Sequence, residues 1–362
     1  MAKKRMAILT GGGDCAGLNA VIRAVTKKAI LEGGYEVFGF EDGYEGLINN
    51  KYRKLELNDV SGILTLGGTI LGTSNKANPY NYAVKKDDGF IYEDRSKDVL
   101  RNIGHLKIDC LVCVGGDGTL KIASKIQKEG IPIIGIPKTI DNDIRGTDIT
   151  FGFDTAVEIV TDGIDRLHTT AQSHHRVMIV EVMGRTAGWI ALHSGIAGGG
   201  DIILIPEIPF EIEKVVKKVK QRGKKGKRFS IIVVAEGAKP KGGDVVIKKI
   251  VKDSAEPIRL GGIAFVLGDQ IERMTGLESR EVVMGHLQRG GSPSSFDRVL
   301  ATRLGTYVVD MIEKNDFGNM AGVRCDKLVN VPLDEVARGP RLIDLDHYLI
   351  QSARSIGVSF GD

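Results

Sequence analysis

Short apolar runs recur along the chain, separated by longer amphipathic stretches, and glycine or polar clusters end almost every run. The short runs read as buried parallel strands and the amphipathic stretches as helices. Arg5 to Thr10 predicts the first strand, and Gly11-Gly12-Gly13-Asp14 turns it into a helix that starts near Leu18. Tyr35 to Phe40 predicts a second strand, 42–46 a loop, and Leu64 to Ser74 a further strand ending in small residues. The polar segment Asn75 to Lys97 predicts a loop or short hairpin. A helix near 97–106, a strand over 109–114, a helix near 119–129 and a strand over 131–136 then form a βαβ run. Such a run implies a parallel sheet with right-handed crossovers.

After Asp143 the rhythm repeats. A helix is expected from about 154 to 171, a strand from Arg176 to Glu181, and a helix over 187–195. A strand over 201–205, a helix over 210–221 and a strand over 230–235 follow. Arg280 to Gly291 predicts a strand, and 294–313 an amphipathic helix. The likeness between the halves is architectural, because no repeat is visible residue by residue.

Length and composition change this picture little. A chain of 362 residues is long enough for two domains with large cores. With 42% hydrophobic and 27% charged residues it is an ordinary globular composition. The net charge of +4 does not call for nucleic acid, and no apolar run reaches membrane-spanning length. The opening Met-Ala-Lys-Lys-Arg-Met-Ala-Ile-Leu-Thr lacks the long apolar stretch of a signal peptide. The expectation is a soluble cytoplasmic protein with neither nucleic-acid nor membrane partners.

Four scattered cysteines make no disulfide framework. Cys110 and Cys113 point to opposite faces of one strand, and Cys15 reads as a packed small residue. The basic run Lys214 to Arg228 reads as a solvated helix face, with an anion or effector site at a subunit contact as the alternative. Asp316-Phe317-Gly318 spells a protein-kinase metal motif without the catalytic loop that should precede it, so it reads as a turn. There is no P-loop, and the adjacent His174 and His175 point apart.

The chemistry gathers at strand ends. Pro137-Lys138-Thr139-Ile140-Asp141-Asn142-Asp143 follows one apolar run, and Gly115-Gly116-Asp117-Gly118-Thr119 follows the neighbouring one. In open α/β sheets ligands bind beyond the carboxyl ends of strands. Glycine turns feeding helices present N–H groups to phosphate, and acids beside them can hold Mg²⁺. Arg280, His286 and Arg289 suit a phosphate monoester. Asp141 can accept a hydroxyl proton. Together these features ask for phosphoryl transfer to a phosphorylated alcohol, where positioning and charge stabilisation dominate.

The sequence resembles the 6-phosphofructokinase family over roughly residues 5 to 340. The motifs that carry the resemblance are Gly-Gly-Asp-Cys-Ala-Gly-Leu-Asn (12–19), Gly-Gly-Asp-Gly-Thr (115–119) and Pro-Lys-Thr-Ile-Asp-Asn-Asp (137–143). Glu-Val-Met-Gly-Arg (181–185), Ala-Glu-Gly (235–237) and Gly-His-Leu-Gln-Arg-Gly-Gly-Ser-Pro (285–293) complete the set in the family's order. Gly-Gly-Asp-Gly-Thr alone also occurs in NAD and lipid kinases, a rival reading that leaves 280–293 unexplained. A non-catalytic sugar-phosphate binding module is a second rival, and the intact Asp117, Asp141 and Asp143 argue against it.

The resemblance implies an α/β fold of two similar three-layer domains with mostly parallel sheets. A donor domain would comprise residues 1–152 with 288–338, and a fructose 6-phosphate domain 153–287 with 339–362. It implies an ATP-dependent 6-phosphofructokinase making fructose 1,6-bisphosphate. Asp141 resembles the base for the sugar 1-hydroxyl, with Asp143, Thr139 and Arg185 beside it in the catalytic set, and Asp117 the Mg²⁺ acid. Gly12, Asn75, Lys76, Gly116, Asp117, Gly118 and Thr119 would line the donor site. Thr139, Ile140, Asp141, Met183, Gly184, Arg185, Glu236, His286, Leu287, Gln288 and Arg289 would hold fructose 6-phosphate. Arg176 and Arg280 match arginines that the family supplies across a subunit boundary, which implies a homodimer or homotetramer with a shared site.

The donor rests on two positions. A glycine at Gly118 leaves room for the α-phosphate of ATP, where pyrophosphate users of the family carry an aspartate. Lys138 matches the pyrophosphate users instead. The mixed signature resembles an ATP-using member of the pyrophosphate-related branch, because the missing side chain is needed for fit while a lysine can adjust. Pyrophosphate-dependent transfer to fructose 6-phosphate is the alternative. Where the family usually has an arginine this chain has Asn75, and Lys76 could replace it only as a point charge without the arginine fork.

Overall fold

The computed structural model describes residues 3–87, 89–250 and 258–362. Asp88, in the polar segment expected to form a loop or hairpin, lies outside the described residues. The first elements are β1 (Arg5–Thr10), α1 (Leu18–Leu31), β2 (Glu36–Phe40), α2 (Tyr44–Asn49) and β3 (Tyr52–Leu55). The hairpin β4 (Tyr82–Lys86) and β5 (Gly89–Glu93) precedes α3 (Ser96–Leu106), β6 (Cys110–Gly115), α4 (Asp117–Lys128) and β7 (Ile133–Pro137). Next come α5 (Phe153–His174), β8 (Val177–Val182), α6 (Trp189–Ala197), β9 (Ile202–Leu204), α7 (Ile212–Lys224) and β10 (Ser230–Ala235). The chain continues through β11 (Ile247–Ile250), β12 (Ile258–Leu260), α8 (Ile263–Thr275), β13 (Ser279–Val283) and α9 (Ser295–Glu313). The last elements are β14 (Asn319–Arg324), β15 (Lys327–Pro332), α10 (Leu333–Val336) and α11 (Tyr348–Ser355).

Two sheets carry the architecture among the described residues: a seven-stranded one in the order β15-β14-β7-β6-β1-β2-β3, and a four-stranded one in the order β13-β8-β10-β9. The inner pairings are parallel, and β3 and β15 close the two edges of the larger sheet antiparallel. Residues 319–332 thus return to the sheet that begins at Arg5, and Ser359 bridges back to Ile202 beside the smaller sheet. Cys110 and Cys113 face different cores on the two sides of β6, as strand alternation requires.

Helices cover the apolar faces. α1 and α9 pack along one another, burying Val21, Val25, Leu300 and Leu304. The approach is close: a Cβ on Gly305 would stand 2.8 Å from that of Ala24. Buried Asp297 of α9 takes the Thr155 amide at 2.9 Å and hydroxyl at 2.6 Å, tying α9 to α5.

Three expectations change. Leu64 to Ser74 is not a strand; a 3₁₀ turn over Ile63–Thr65 leads into an irregular loop. Gly68 and Gly72 take φ of 63° and 68°, which no strand accommodates. Buried Asn19 shapes this loop, donating to the carbonyls of Leu66 and Gly67 and accepting from the Ile70 amide. The segment 42–46 is a loop only to Gly43, after which α2 begins. The strand expected over Arg280 to Gly291 stops at Val283, and Gly285–Arg289 is a 3₁₀ turn.

Candidate active site

Strand register sets the site. Thr10 lies opposite Val114, and Gly115 opposite Pro137, so β1, β6 and β7 end on a level. The loops that leave them begin at Gly11, Gly116 and Lys138. In the smaller sheet Glu181 lies opposite both Val234 and Val283, so Met183, Glu236 and Met284 emerge together from β8, β10 and β13. The carboxyl ends of the two sheets meet across a cleft.

On the larger sheet's side, Gly12 donates to the Ser74 carbonyl at 3.1 Å and accepts from the Thr73 hydroxyl at 2.7 Å. Two cations from distant sequence hold the first glycine loop. Lys138 is buried and its Nζ donates to the Gly13 carbonyl, while Arg289 donates to the Asp14 carbonyl at 2.9 Å. Burial pulls the Lys138 amine below its ordinary value, and nearby Arg289 adds to that pull, while Cys15, Asp14 and Asp141 oppose it. Cys15 itself is buried and its thiol is pushed up to about 12, chiefly by desolvation, which keeps it unreactive.

Thr119 is wedged in this loop system. Its side chain fills the space that a Cβ on Gly11 or Gly115 would need, and its carbonyl accepts from the Tyr44 hydroxyl at 2.8 Å. Asp117 and Gly118 lie in the first turn of α4, where backbone N–H groups and the helix dipole favour anions. Asp117 accepts from Lys121 at 3.0 Å and from the Gly118 amide at 2.6 Å. A Cβ on Gly118 would meet nothing within 4 Å. Beside Gly12 a cavity of about 380 Å³ opens, lined by Asp42, Glu45, Thr73, Ser74, Lys76 and, from the hairpin, Tyr82 and Phe90. Asn75 and Lys76 are exposed at its rim.

The loop after β7 is bent sharply. Thr139 accepts the Asp141 amide at 3.1 Å, Ile140 is buried, and Asn142 takes a left-handed φ of 51°. Burial first, then Asp141 and Asp117, push the Asp143 carboxyl up to about 7. Across the cleft, Glu236 is also pushed up to about 7, by burial and by Asp141 and Glu181, against the pull of Arg289 and Arg185. Asp117, Asp141, Asp143, Glu236, Arg185, Arg289 and Lys138 therefore share one electrostatic neighbourhood. Perturbed carboxylates of this kind cluster where chemistry is done.

The 3₁₀ turn completes the smaller sheet's side. Buried Gln288 accepts the Met183 amide at 3.2 Å and donates to the Gly285 carbonyl at 3.0 Å, while His286 and Leu287 are exposed. Gly237 donates to the Gly184 carbonyl at 3.1 Å. Glu181 is occupied elsewhere, accepting the amides of Gly262 and Ala264 at the start of α8.

Two expected residues stand apart. Arg176 precedes β8 and Arg280 is the second residue of β13, at the amino ends of those strands. The length of β8 puts Arg176 about 20 Å from Met183 along the strand. Both arginines bind the carboxylate of Glu278. Neither Arg341, whose guanidinium reaches the Asn142 carbonyl, nor Tyr44 beneath Thr119 is marked by any motif in the sequence. Arg341 lies in an aperiodic stretch and Tyr44 in an expected loop, so neither carried a pattern to read.

The chain belongs to the phosphofructokinase family, whose model, described as "Phosphofructokinase", matches residues 5–312. It is 55% identical over 361 residues to ATP-dependent 6-phosphofructokinase 2 of Clostridium perfringens, covering 99% of each chain. It is 50% identical over 344 residues to a pyrophosphate–fructose 6-phosphate 1-phosphotransferase of Amycolatopsis methanolica, covering 95% of this chain and 97% of that one. Among solved structures, Pichia pastoris phosphofructokinase in the T-state aligns with a TM-score of 0.78 at 33% identity. That match covers 93% of this chain and 36% of the Pichia chain, so the chain spans about a third of that protein's length.

Proposed function

We propose that this chain is an ATP-dependent 6-phosphofructokinase, transferring the γ-phosphoryl of ATP to the 1-hydroxyl of fructose 6-phosphate to give fructose 1,6-bisphosphate and ADP. The observation that carries the donor is the open space at Gly118. Neither its backbone conformation nor its neighbours require glycine, since a Cβ there would meet nothing within 4 Å. The absent side chain keeps room for an α-phosphate above the start of α4. The cavity of about 380 Å³ beside the Gly12 loop suits a nucleoside, which pyrophosphate lacks.

Asp141 takes the proton of the 1-hydroxyl as that oxygen attacks the γ-phosphorus and ADP leaves. Thr139 braces the Asp141 amide, and Asp143 shares the local charge. Arg185 and Arg289 face the transferring phosphoryl and the sugar phosphate. Met183, Gly184, Glu236 and the 286–289 turn hold the sugar. Gly12, Gly116 and the first turn of α4 receive the donor's phosphates, with Lys76 at the rim.

Asp117 is the residue to hold Mg²⁺, and the oxygen-only donor set beside it fits. Among the described residues no group of three or more His, Cys, Asp and Glu side chains could hold a metal ion. Mg²⁺ is commonly bound through one or two carboxylates plus substrate phosphates. When bound it neutralises charge on the phosphate oxygens.

Arg176 and Arg280, remote from the cleft of their own chain, serve the 6-phosphate site of a second copy, so the enzyme acts as a homo-oligomer. The division into a donor part (1–152 with 288–338) and a sugar part (153–287 with 339–362) follows the two sheets. Among the described residues no helix is long and apolar enough to cross a membrane, and a cytoplasmic place fits the reaction.

Lys138 favours a second reading, with pyrophosphate as donor, because it places a buried amine against the glycine loop. A coupled assay on fructose 6-phosphate with Mg·ATP and Mg·pyrophosphate side by side tests both. Substantial turnover with ATP and little with pyrophosphate is expected, and the reverse preference overturns the proposal.

A further inference from the structure

Residues 337–347, between α10 and α11, form an irregular strap across the cleft. Arg341 is its anchor. Its amide donates to the Asp143 carbonyl at 2.7 Å. Its guanidinium donates to the Asn142 carbonyl from Nη2 at 3.1 Å and from Nε at 3.3 Å. On the other side, Trp189 Nε1 donates to the Arg341 carbonyl at 3.1 Å, and the guanidinium stands 4.3 Å from the Trp189 ring centroid. Trp189 is the first residue of α6 and is buried. Glu207 fixes the same joint by accepting the Gly188 amide at 3.1 Å and the Ile343 amide at 3.0 Å.

One residue therefore grips two successive carbonyls of the loop after β7 and, with its other side, the helix that follows β8. The gripped backbone is the sharp bend that flanks Asp141. Asn142 takes a left-handed φ of 51°, a turn that asparagine tolerates better than most residues and that its hydrogen bonds here fix in direction. Its side chain accepts the Thr150 amide at 3.0 Å, and its carbonyl takes the arginine fork. The direction of that bend decides where the flanking Asp141 carboxylate points.

We propose that Arg341 is a positioning residue for phosphoryl transfer: through the Asn142 and Asp143 main chain it holds Asp141 at the angle needed to take the acceptor's proton. It also ties that angle to the seat of Trp189 on the sugar side. The inference rests on the reading of Asp141 as the base. A planar fork that meets a carbonyl with two N–H groups is not replaced by a lysine ammonium.

The test uses the full-length protein with Arg341→Lys, Arg341→Ala and Asp141→Asn in one coupled assay, together with emission from Trp189, the chain's single tryptophan. Both Arg341 variants are expected to lower kcat about 10- to 100-fold, the scale of a catalytic group misplaced by an ångström. KM for both substrates should stay nearly unchanged, and the Trp189 emission maximum should shift. Arg341→Lys should not restore kcat, because charge without the fork leaves the loop unheld. If Asp141→Asn is inactive while a folded Arg341→Lys keeps wild-type kcat, the positioning role is overturned and the base assignment survives. A lower Tm with unchanged kcat well below that Tm overturns it too, since that outcome marks a purely structural contact. If Asp141→Asn keeps its activity, the base assignment fails and this inference with it. Should Arg341→Ala not fold, Arg341→Lys and Trp189→Phe carry the test; Trp189→Phe removes the indole donor and is expected to lower kcat several-fold.

Discussion

Arg289 Nη1 lies 2.9 Å from the main-chain carbonyl of Asp14, a residue 275 positions earlier in the chain. The contact runs from the turn after β13, on the smaller sheet's side, to the glycine loop after β1 on the larger sheet's side. A Cβ on Gly13 would overlap the same guanidinium at 2.3 Å. The donor loop and a residue assigned to the sugar thus share one hydrogen-bonded joint, and displacement of either registers in the other.

Asp141→Asn should leave the fold and fructose 6-phosphate affinity nearly intact. It should lower kcat by at least the roughly 10²–10⁴ typical of a lost general base. Steady-state kinetics with a binding measurement on the same variant checks this. Near-wild-type kcat would remove Asp141 from the chemistry.

The environment of Asp143 predicts a pH dependence of stability. Its carboxyl is raised from 3.8 to about 7, first by burial and then by Asp141 and Asp117. A raised folded value favours the protonated form, so its contribution is fully present below the unfolded value and is lost as pH rises through about 7. Asp143→Asn, which cannot ionise, should therefore melt above wild type near pH 8, with the gap closing toward about pH 4. Thermal melts of both proteins across that range, without ligands, check it. A gap that does not depend on pH would show that Asp143 is not the group responsible.

Gly118→Asp should abolish ATP use, lowering kcat/KM for ATP by at least about 10² through like-charge and steric exclusion of the α-phosphate. The protein itself should tolerate the change: the side chain enters open space in the first turn of a helix, where a carboxylate is favoured by about 0.3–1 kcal/mol. A gain of pyrophosphate activity, with Lys138 pairing the new carboxylate, is the accompanying expectation. Kinetics with both donors in both proteins decides it, and normal ATP use by the variant would make Lys138 the better guide to the donor.

Arg176→Ala and Arg280→Ala should each weaken fructose 6-phosphate binding by about 2–5 kcal/mol, the cost of truncating one partner of a buried charge pair. Both side chains bind Glu278 in the isolated chain, so they are held ready at one edge of β8 and β13. Mixing Arg280→Ala with Asp141→Asn should restore some activity, because an Arg280→Ala subunit keeps its own Asp141 and receives both arginines intact from an Asp141→Asn neighbour. Confirmed subunit exchange without recovery would count against a shared site.

Much of the parallel framework was legible because its strands are apolar runs ended by glycine or proline. The site's loops were legible for the same reason, since the residues after Thr10, Gly115 and Pro137 had to stand together once the strands paired in register. What escaped notice lacked a local pattern. Leu64 to Ser74 alternates small and apolar residues as a strand would, but its shape comes from the buried Asn19 amide of another element. The antiparallel pair β14 and β15 contains Gly322, Asn330 and the charges of Arg324 and Lys327, so it carries little strand signal of its own. Arg341 could not be found by sequence, because its partners are main-chain carbonyls that any residues could supply.

The docking of β14 beside β7 bears on how the protein is made. The sheet that starts at Arg5 is not complete until Pro332 has been synthesised, whereas the four strands of the smaller sheet lie between Val177 and Val283. On the ribosome, domains usually fold in order from the N-terminus. Here the half begun first must wait for its edge, so a nascent chain paused after β13 carries an assembled smaller sheet beside an open larger one. In that interval the backbone edge of β7 that β14 will take stands unpaired.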